Sequence, residues 1–525
     1  MEKVMQTREQ QWWRGAVAYQ VYVPSFADSI GDGVGDLDGV SERLDALVWL
    51  GVDVIWLSPI FESPMRDGGY DISNYHDLNP MFGDLAALDR LIEAAHELNI
   101  RVLLDWVPNH TSTDHPWFVE SASSTTNTKR DWYVWVDEAG DAPPNNWQSC
   151  FAAVGSAWSR HPITGAWYLH SFLREQADLN WDNPAVVAAA HDVMRFWLDR
   201  GIDGFRIDVV HNLGKDPDLA DNPSIIVRPT PETAGRRLDE DHWPNLWHKI
   251  AGIRSVLDEY PGTIAVGESY VLDAGRLAEY TRPGRLHLAH DFTLTELDWD
   301  ATAFVAAIDA SNRAVGENGW PAWILSSHDH GRLATRWTTT GALAPPGTGV
   351  ADTGRAEAAL TLLLLMRGTP FLFQGEELAL PDATGGANLD VDGRSRSRAP
   401  LPWTNETNAG FTAGTPWMAV PETARALNRQ HQRTNPDSTL RFIRDLIALR
   451  RDHRALRDGS QQISVDDGVL HLDRRHGEQH IVVSINMSLE PRTIDPISTP
   501  LLTRGTATAG GRVCLDPNGI VVTVA

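Results

Sequence analysis

Cysteine is nearly absent: the 525 residues hold two, Cys150 and Cys514. Two thiols so far apart in the chain exclude a disulfide framework and a thiolate zinc site, and they point to a reducing compartment. Long apolar runs are missing as well. The opening M-E-K-V-M-Q-T-R-E-Q-Q-W-W has no apolar h-region, and no run of about 18 apolar residues follows it, so a cytoplasmic protein without a membrane partner is expected. Positive charge is scarce, with 45 Lys and Arg against 70 Asp and Glu and a net charge of -25. That balance repels phosphate backbones and anionic lipid surfaces. Nucleic acids drop out as expected partners, and a neutral or cationic small molecule fits better. Tyrosine is thin beside tryptophan, 9 against 21. Flat indole faces suit stacking on sugar rings, although core packing is the ordinary use of Trp.

What is present is a large globular composition. Apolar residues at 42% and charged residues at 22% exclude disordered, collagen-like and coiled-coil classes. The length exceeds one ordinary domain and suffices for a barrel-sized core with accessory pieces. Near-continuously apolar strand candidates begin at Gly15, Val52, Ile100, Gly201, Thr263, Leu286, Trp323 and Thr369, and helical patterns such as Ser41 to Leu50, Leu85 to Leu98, Pro184 to Arg200 and Leu246 to Glu259 separate them. Buried parallel strands read this way, and eight of them with intervening helices close most naturally as a (β/α)8 TIM barrel. The rhythm stops between Thr111 and Leu179, where Ser, Thr, Asn, Pro and Trp dominate, so a subdomain inserted after the third strand is expected. A basic amphipathic helix from Ser438 to His453 precedes short alternating strands such as H-I-V-V-S-I-N. The expected domains are therefore a barrel over 1–110 and 180–457, an insert over 111–179 and a C-terminal antiparallel β domain over 458–525.

The stretch from Gly201, G-I-D-G-F-R-I-D-V-V-H, carries the first chemical signal. Strand side chains change face at every residue, so Arg206 and Asp208 share one face while Phe205 and Ile207 take the other. An adjacent cation lowers a carboxyl pKa, so Asp208 is expected to stay ionised as a nucleophile, unless the pair is a buried ion pair that merely fixes the strand. Barrel active sites sit at the C-terminal strand ends, and there the sequence also places Asp105, Asn109, His110, Glu268, His328 and Asp329. Two carboxyls about 5 Å apart, one ionised and one protonated, are what retaining glycoside hydrolysis requires. Glu268, after the apolar T-I-A-V-G, suits the acid. No H-x-H or H-E-x-x-H spacing supports a catalytic metal. Near the start, Asp28, Asp32 and Asp36, with the Val34 carbonyl, could wrap a hard cation such as calcium or magnesium, or could form only an acidic, Gly-rich turn.

These motifs together resemble the α-amylase superfamily of retaining α-glycosidases, and most closely its bacterial α-glucosidase and oligo-1,6-glucosidase branch. The matches are D-W-V-P-N-H from Asp105, G-F-R-I-D from Gly204, V-G-E from Val266 and H-D at His328. G-Y-D-I-S from Gly69, Q-A-D-L-N from Gln176, Q-G-E-E from Gln374 and R-x-P-L-P-W from Arg398 support them. The resemblance implies Asp208 as nucleophile, Glu268 as acid/base and Asp329 as the carboxylate that grips the sugar's 2- and 3-hydroxyls. It places Arg206, His110 and His328 in the same subsite, Tyr70 against the ring, and Asp71 with Arg398 at the closed, non-reducing end. It implies no organic cofactor, and a monomer or homodimer acting on small α-glucosides.

The chain departs from the family pattern at Ser327, Ala177, Ser395 and Ile30, where Asn, Pro, Asp and Asn are usual. Val209, after the nucleophile, leans toward tolerating α-1,6 bonds. The expected activity is an exo-acting retaining α-glucosidase; the alternative is a glucosyl transferase or sugar isomerase using the same residues. A non-catalytic carbohydrate-binding protein is the third reading, and the intact trio of Asp208, Glu268 and Asp329 argues against it.

Overall fold

The computed structural model describes residues 11–137, 140–222, 244–344, 349, 351–383, 393–421, 425–495, 498–509 and 511–525. The polar connection expected up to Trp243 lies largely outside them. Eight parallel strands close into a barrel: β1 (Ala18–Val21), β2 (Val54–Leu57), β3 (Arg101–Trp106), β4 (Gly204–Ile207), β5 (Ile264–Gly267), β6 (Leu288–Asp291), β7 (Ala322–Ile324) and β8 (Thr369–Phe373). Neighbours in sequence are neighbours in the barrel, and β8 pairs with β1 to close it.

Strand alternation sorts the side chains into two cores. Ala18, Val54, Trp56, Leu103, Ile264, Val266, Leu288, Ala322, Ile324 and Phe371 fill the interior. Tyr19, Ile55, Leu104, Phe205, Ile207, Ala265 and Trp323 point outward into the layer shared with the helices. Phe205 and Ile207 thus face out as the alternation predicts, and Arg206 faces in. Asp84, Asn183, Asp273, Asp300, Asp352 and Ser438 each cap the helix that follows by accepting a backbone N–H. The single helix expected from Ser41 is two, Leu37–Glu42 and Leu44–Leu50, because Arg43 leaves the helical region between them. The helix Thr353–Leu365 is buried from Arg355 to its end, which is why it reads apolar nearly all round.

The two ends of the inserted segment pair with each other: His110–Ser112 runs antiparallel to Gln176–Asp178, with Asp178 opposite His110. Between them lie a short helix, Pro116–Ser123, and a three-stranded sheet packed around Trp147, Trp158 and Leu169. After the helix Thr439–Asp452 come six antiparallel strands: β9 (Ser460–Asp466), β10 (Val469–His476), β11 (Gln479–Asn486), β12 (Arg492–Ile494), β13 (Pro500–Ala509) and β14 (Arg512–Val524). Arg504 on β13 grips Glu357 through two bonds of 2.6 and 2.7 Å and ties this sheet to the helix Thr353–Leu365, which leads into β8. Among the described residues, no helix is long and apolar enough to cross a membrane.

Gly204 starts β4 at φ 140°, and a Cβ there would meet the Ile264 carbonyl oxygen at 1.9 Å. Only glycine lets β4 lie this close to β5. Gly204→Ala should therefore destabilise the fold by at least about 2 kcal/mol, read as a lower thermal unfolding temperature than wild type by circular dichroism.

Candidate active site

Asp208 follows the last residue of β4, and its N–H donates to Trp106 O at 2.9 Å. The chain then turns sharply. Val209 adopts φ 34° and ψ 47°, a left-handed conformation that a β-branched residue enters only under constraint. The constraint is Glu268 at the end of β5, whose Oε2 accepts Val209 N–H at 3.1 Å and whose carbonyl accepts Val210 N–H. The turn that carries Asp208 and the strand end that carries Glu268 are thereby one unit.

Arg206 is the hub beneath them. Its Nη1 lies 2.7 Å from Asp208 Oδ1 and 2.8 Å from Asp105 Oδ1, and its Nη2 lies 2.8 Å from Glu268 Oε2. Arg206, Asp105 and Asp208 are buried and the Glu268 side chain is 12% exposed, with the guanidinium 4.9 Å from the Trp56 ring centre. One cation for three carboxyls leaves the group short of positive charge. Burial pushes Asp208 well above the ordinary carboxylate range, against the pull of Arg206, and Glu268 and Asp105 add to the rise. Asp105 is pushed up to about 6 by the same burial. Arg206 still pulls Asp208 down, as the sequence leads one to expect, but burial outweighs that pull in the free site. Asp105 and Asp208, so closely placed, titrate together.

A hydrogen-bonded chain supports the hub. Tyr70 donates to Asp105 Oδ2 at 3.0 Å, and its oxygen lies 2.7 Å from His328 Nε2. His328 Nδ1 accepts from Gln20 Nε2 at 2.7 Å. The Tyr70 and His328 rings stack at 5.3 Å and 4°. With Tyr70 spending its proton on Asp105, His328 carries its own on Nε2. Burial keeps His328 neutral by driving its pKa well below the usual range.

Above this floor is a cavity of about 220 Å³ whose lining includes Asp67, Tyr70, Asp208, Glu268, Asp329 and Arg394. Arg394 closes one end, with Nη1 2.7 Å from Asp329 and Nη2 3.0 Å from Asp67. Gln176 donates to Asp67 at 3.0 Å and lies 3.2 Å from His110 Nε2. Although burial opposes ionisation, His328, Arg394 and Arg398 hold Asp329 well below the ordinary carboxylate range. Asp329 is the permanently charged member of the trio.

The expected residues divide. Tyr70, His110, Asp208, Val209, Glu268 and Asp329 line the cavity, while Arg206, His328 and Arg398 sit behind it, Arg398 through a 2.8 Å bond to Asp329. Asp71 is elsewhere: it is fully buried and spends its carboxylate on Ser63 Oγ and the N–H groups of Arg66 and Asp67. Asp67, four residues earlier in D-G-G-Y-D, takes the position expected of Asp71. Sequence reasoning missed Asp67, Phe151, Phe172, Tyr270, Glu296 and His330; the acidic start of D-G-G-Y was the one available signal.

The candidate cation loop is already satisfied internally. Asp28 accepts from the N–H groups of Ile30, Gly31 and Gly33 and from Thr412 Oγ1, Asp32 accepts Val34 N–H, and Asp36 caps Leu37–Glu42. Among the described residues, no three His, Cys, Asp or Glu side chains converge as a metal set. In this arrangement backbone N–H groups and Thr412 occupy the loop's carboxylates.

A parallel barrel with its ionisable groups gathered on the rim beyond the strands is a barrel enzyme, and two carboxyls bridged by one guanidinium place it among those that cleave glycosidic bonds. A family model described as the alpha amylase catalytic domain matches residues 20–459, and the chain belongs to that family of glycoside hydrolases. A probable alpha-glucosidase of Rhizobium meliloti is 39% identical over 513 residues, spanning 92% of this chain and 91% of its own length. An oligo-1,6-glucosidase of Parageobacillus thermoglucosidasius is 33% identical, spanning 91% of both. The crystal structure of the alpha-glucosyl transfer enzyme XgtA superposes with a TM-score of 0.89 at 38% identity, over 98% of this chain and 99% of its own.

Two outcomes follow from the site's geometry. Asp67→Ala should raise KM for maltose at least about tenfold, a typical loss for an unpaired buried hydrogen bond, whereas Asp71→Ala should mainly lower the unfolding temperature. The second concerns pH. Asp105 is raised in the folded state relative to its usual value of 3.8, so the folded cluster binds its proton more tightly than the unfolded chain does. That contribution favours folding at low pH and is lost as pH rises through about 6. Unfolding temperatures measured from pH 4.5 to 7.5 should fall more steeply for wild type than for Asp105→Asn.

Proposed function

We propose that the chain is an exo-acting retaining α-glucosidase that releases α-glucose from the non-reducing end of short α-glucosides. The observation that carries this reading is the single Arg206 guanidinium bonded to both Asp208 and Glu268. A shared cation favours the shorter of the two carboxyl spacings used by glycosidases, about 5 Å, over the 6.5–9.5 Å that leaves room for an attacking water.

Glucose enters with its non-reducing end against Asp67 and Arg394, which shut the cavity beyond one sugar. Tyr70 meets the ring, and Asp329 takes the 2- and 3-hydroxyls. Charge on Asp329 is permanent, so its bonds strengthen as the ring gains oxocarbenium character, and stabilisation falls on the transition state. Glu268 passes a proton to the leaving oxygen while Asp208 attacks the anomeric carbon from the opposite face. With that proton gone and the ring positively charged beside it, ionised Asp208 no longer bears the full cost of burial. A covalent β-glucosyl ester results. Glu268, now a base, takes a proton from water; water attacks the anomeric carbon, the ester bond breaks, and α-glucose leaves. No organic cofactor is needed. Val209 follows Asp208, the position that biases linkage in the resembled branch, and leans toward tolerance of α-1,6 bonds. Transfer to a sugar instead of water would use the same residues, and the likeness to a glucosyl-transfer enzyme makes it an outcome to be tested.

Proton NMR of the purified protein with maltose, isomaltose, sucrose and trehalose should show α-glucose first, before mutarotation. New glycosidic signals without net glucose would instead establish transfer. Asp208→Asn should lower kcat at least about 10³-fold while keeping the wild-type circular dichroism spectrum.

A further inference from the structure

The departure at Ser327 has a structural counterpart. Ser327 Oγ lies 2.9 Å from His330 Nδ1 and accepts Asp329 N–H at 3.1 Å. His330 is thus oriented from the same turn that presents Asp329. On its other side, His330 Nε2 is 3.4 Å from the Tyr270 hydroxyl, which donates to Glu296 at 2.7 Å. The rings of Tyr270 and His330 are nearly parallel, at 9° and 6.0 Å. Phe292 stacks on both, at 4.8 Å and 12° from Tyr270 and 5.4 Å and 21° from His330. Burial keeps His330 neutral, with its pKa down to about 4.

Tyr270, Glu296 and His330 line the active cavity. Their side of it follows from the chemistry proposed above, on which this inference rests. Glu268 must reach the leaving oxygen, and Tyr270 stands two residues beyond Glu268, whereas Arg394 and Asp67 close the other end. Among the described residues that line the cavity, Arg394 is the only Lys or Arg, so the Tyr270 side presents ring faces and a carboxylate to it, with the buried Arg336 acting on Glu296 and Tyr270 from outside the lining.

We propose that Tyr270 and His330, backed by Phe292 and oriented by Ser327 and Glu296, form the wall that selects the leaving group and takes the face of a neutral, unphosphorylated ring. Stacked rings suit the C–H face of a second sugar or an aryl group. A phosphorylated sugar meets the Glu296 carboxylate with no Lys or Arg among the described lining residues on that side.

The test uses leaving groups of graded size on the full chain. α-Glucosyl fluoride needs no such wall, whereas maltose and 4-nitrophenyl α-glucoside do. In His330→Ala and Tyr270→Ala, kcat/KM for maltose relative to that for α-glucosyl fluoride should fall at least about tenfold, the size expected for one lost contact. Ser327→Ala and His330→Gln should shift it in the same direction by less, which covers the case in which the larger truncations do not fold. A fall confined to the 4-nitrophenyl substrate would assign the wall to aryl groups, and a fall confined to maltose to sugars. Wild type should hydrolyse at least one of maltose, isomaltose and trehalose at least 100-fold faster than trehalose 6-phosphate. Unchanged ratios in all four variants, or equal rates on the phosphorylated sugar, would overturn the proposal. Wild type inactive on α-glucosyl fluoride would overturn the glucosidase reading and the wall with it.

Discussion

A guanidinium buried inside the barrel and shared among Asp105, Asp208 and Glu268 sets the terms for the rest of the site. Burying four ionisable groups is costly unless nearly every charge is paired and hydrogen-bonded. The barrel meets that requirement in layers. Trp56 faces the guanidinium and donates to Asp105 at 3.1 Å, Tyr70 donates to Asp105, His328 supports Tyr70, and Gln20 supports His328. Residues from β1, β2, β3 and β4 and from the loops after β2 and β7 are therefore committed to holding one cation in place.

Charge is distributed unevenly across the trio, and the unevenness is useful. Asp329 stands among His328, Arg394 and Arg398 and is held ionised; Asp208 shares Arg206 and is pushed the other way. One end of the cavity thus carries a carboxylate held charged by its neighbours, and the floor is a group of carboxyls around one guanidinium. Retaining catalysis needs both within one sugar's reach.

Geometry at the nucleophile carries a local cost. Val209 in the left-handed region is strained by about 1–3 kcal/mol, and two bonds to Glu268 hold it there. The same bonds couple the turn that aims Asp208 to the strand that carries Glu268. Pairing of His110–Ser112 with Gln176–Asp178 does a similar job for the insert, since the strands that begin and end it bring His110 and Gln176 to the cavity together.

Strand order, the inward face of Arg206, the rim position of Glu268 and Asp329 and the place of the insert were legible from residues alone, because strand periodicity and βα spacing are local properties of the chain. The resemblance then supplied the roles of Asp208, Glu268 and Asp329. Other features depended on contacts between distant segments. Asp67 and Asp71 are chemically alike and four residues apart, and only the fold of their loop turns one to Arg394 and buries the other against Ser63. Asp28 and Asp36 have the spacing of a cation loop, yet backbone N–H groups and the distant Thr412 satisfy them. Arg206 and Asp208 read as a simple pair in β4, and β3 and β5 turned that pair into a four-group cluster with a different proton balance. Sequence determined which side chains could reach the rim; tertiary structure decided which charges would share a partner there, because burial makes that sharing the dominant energy.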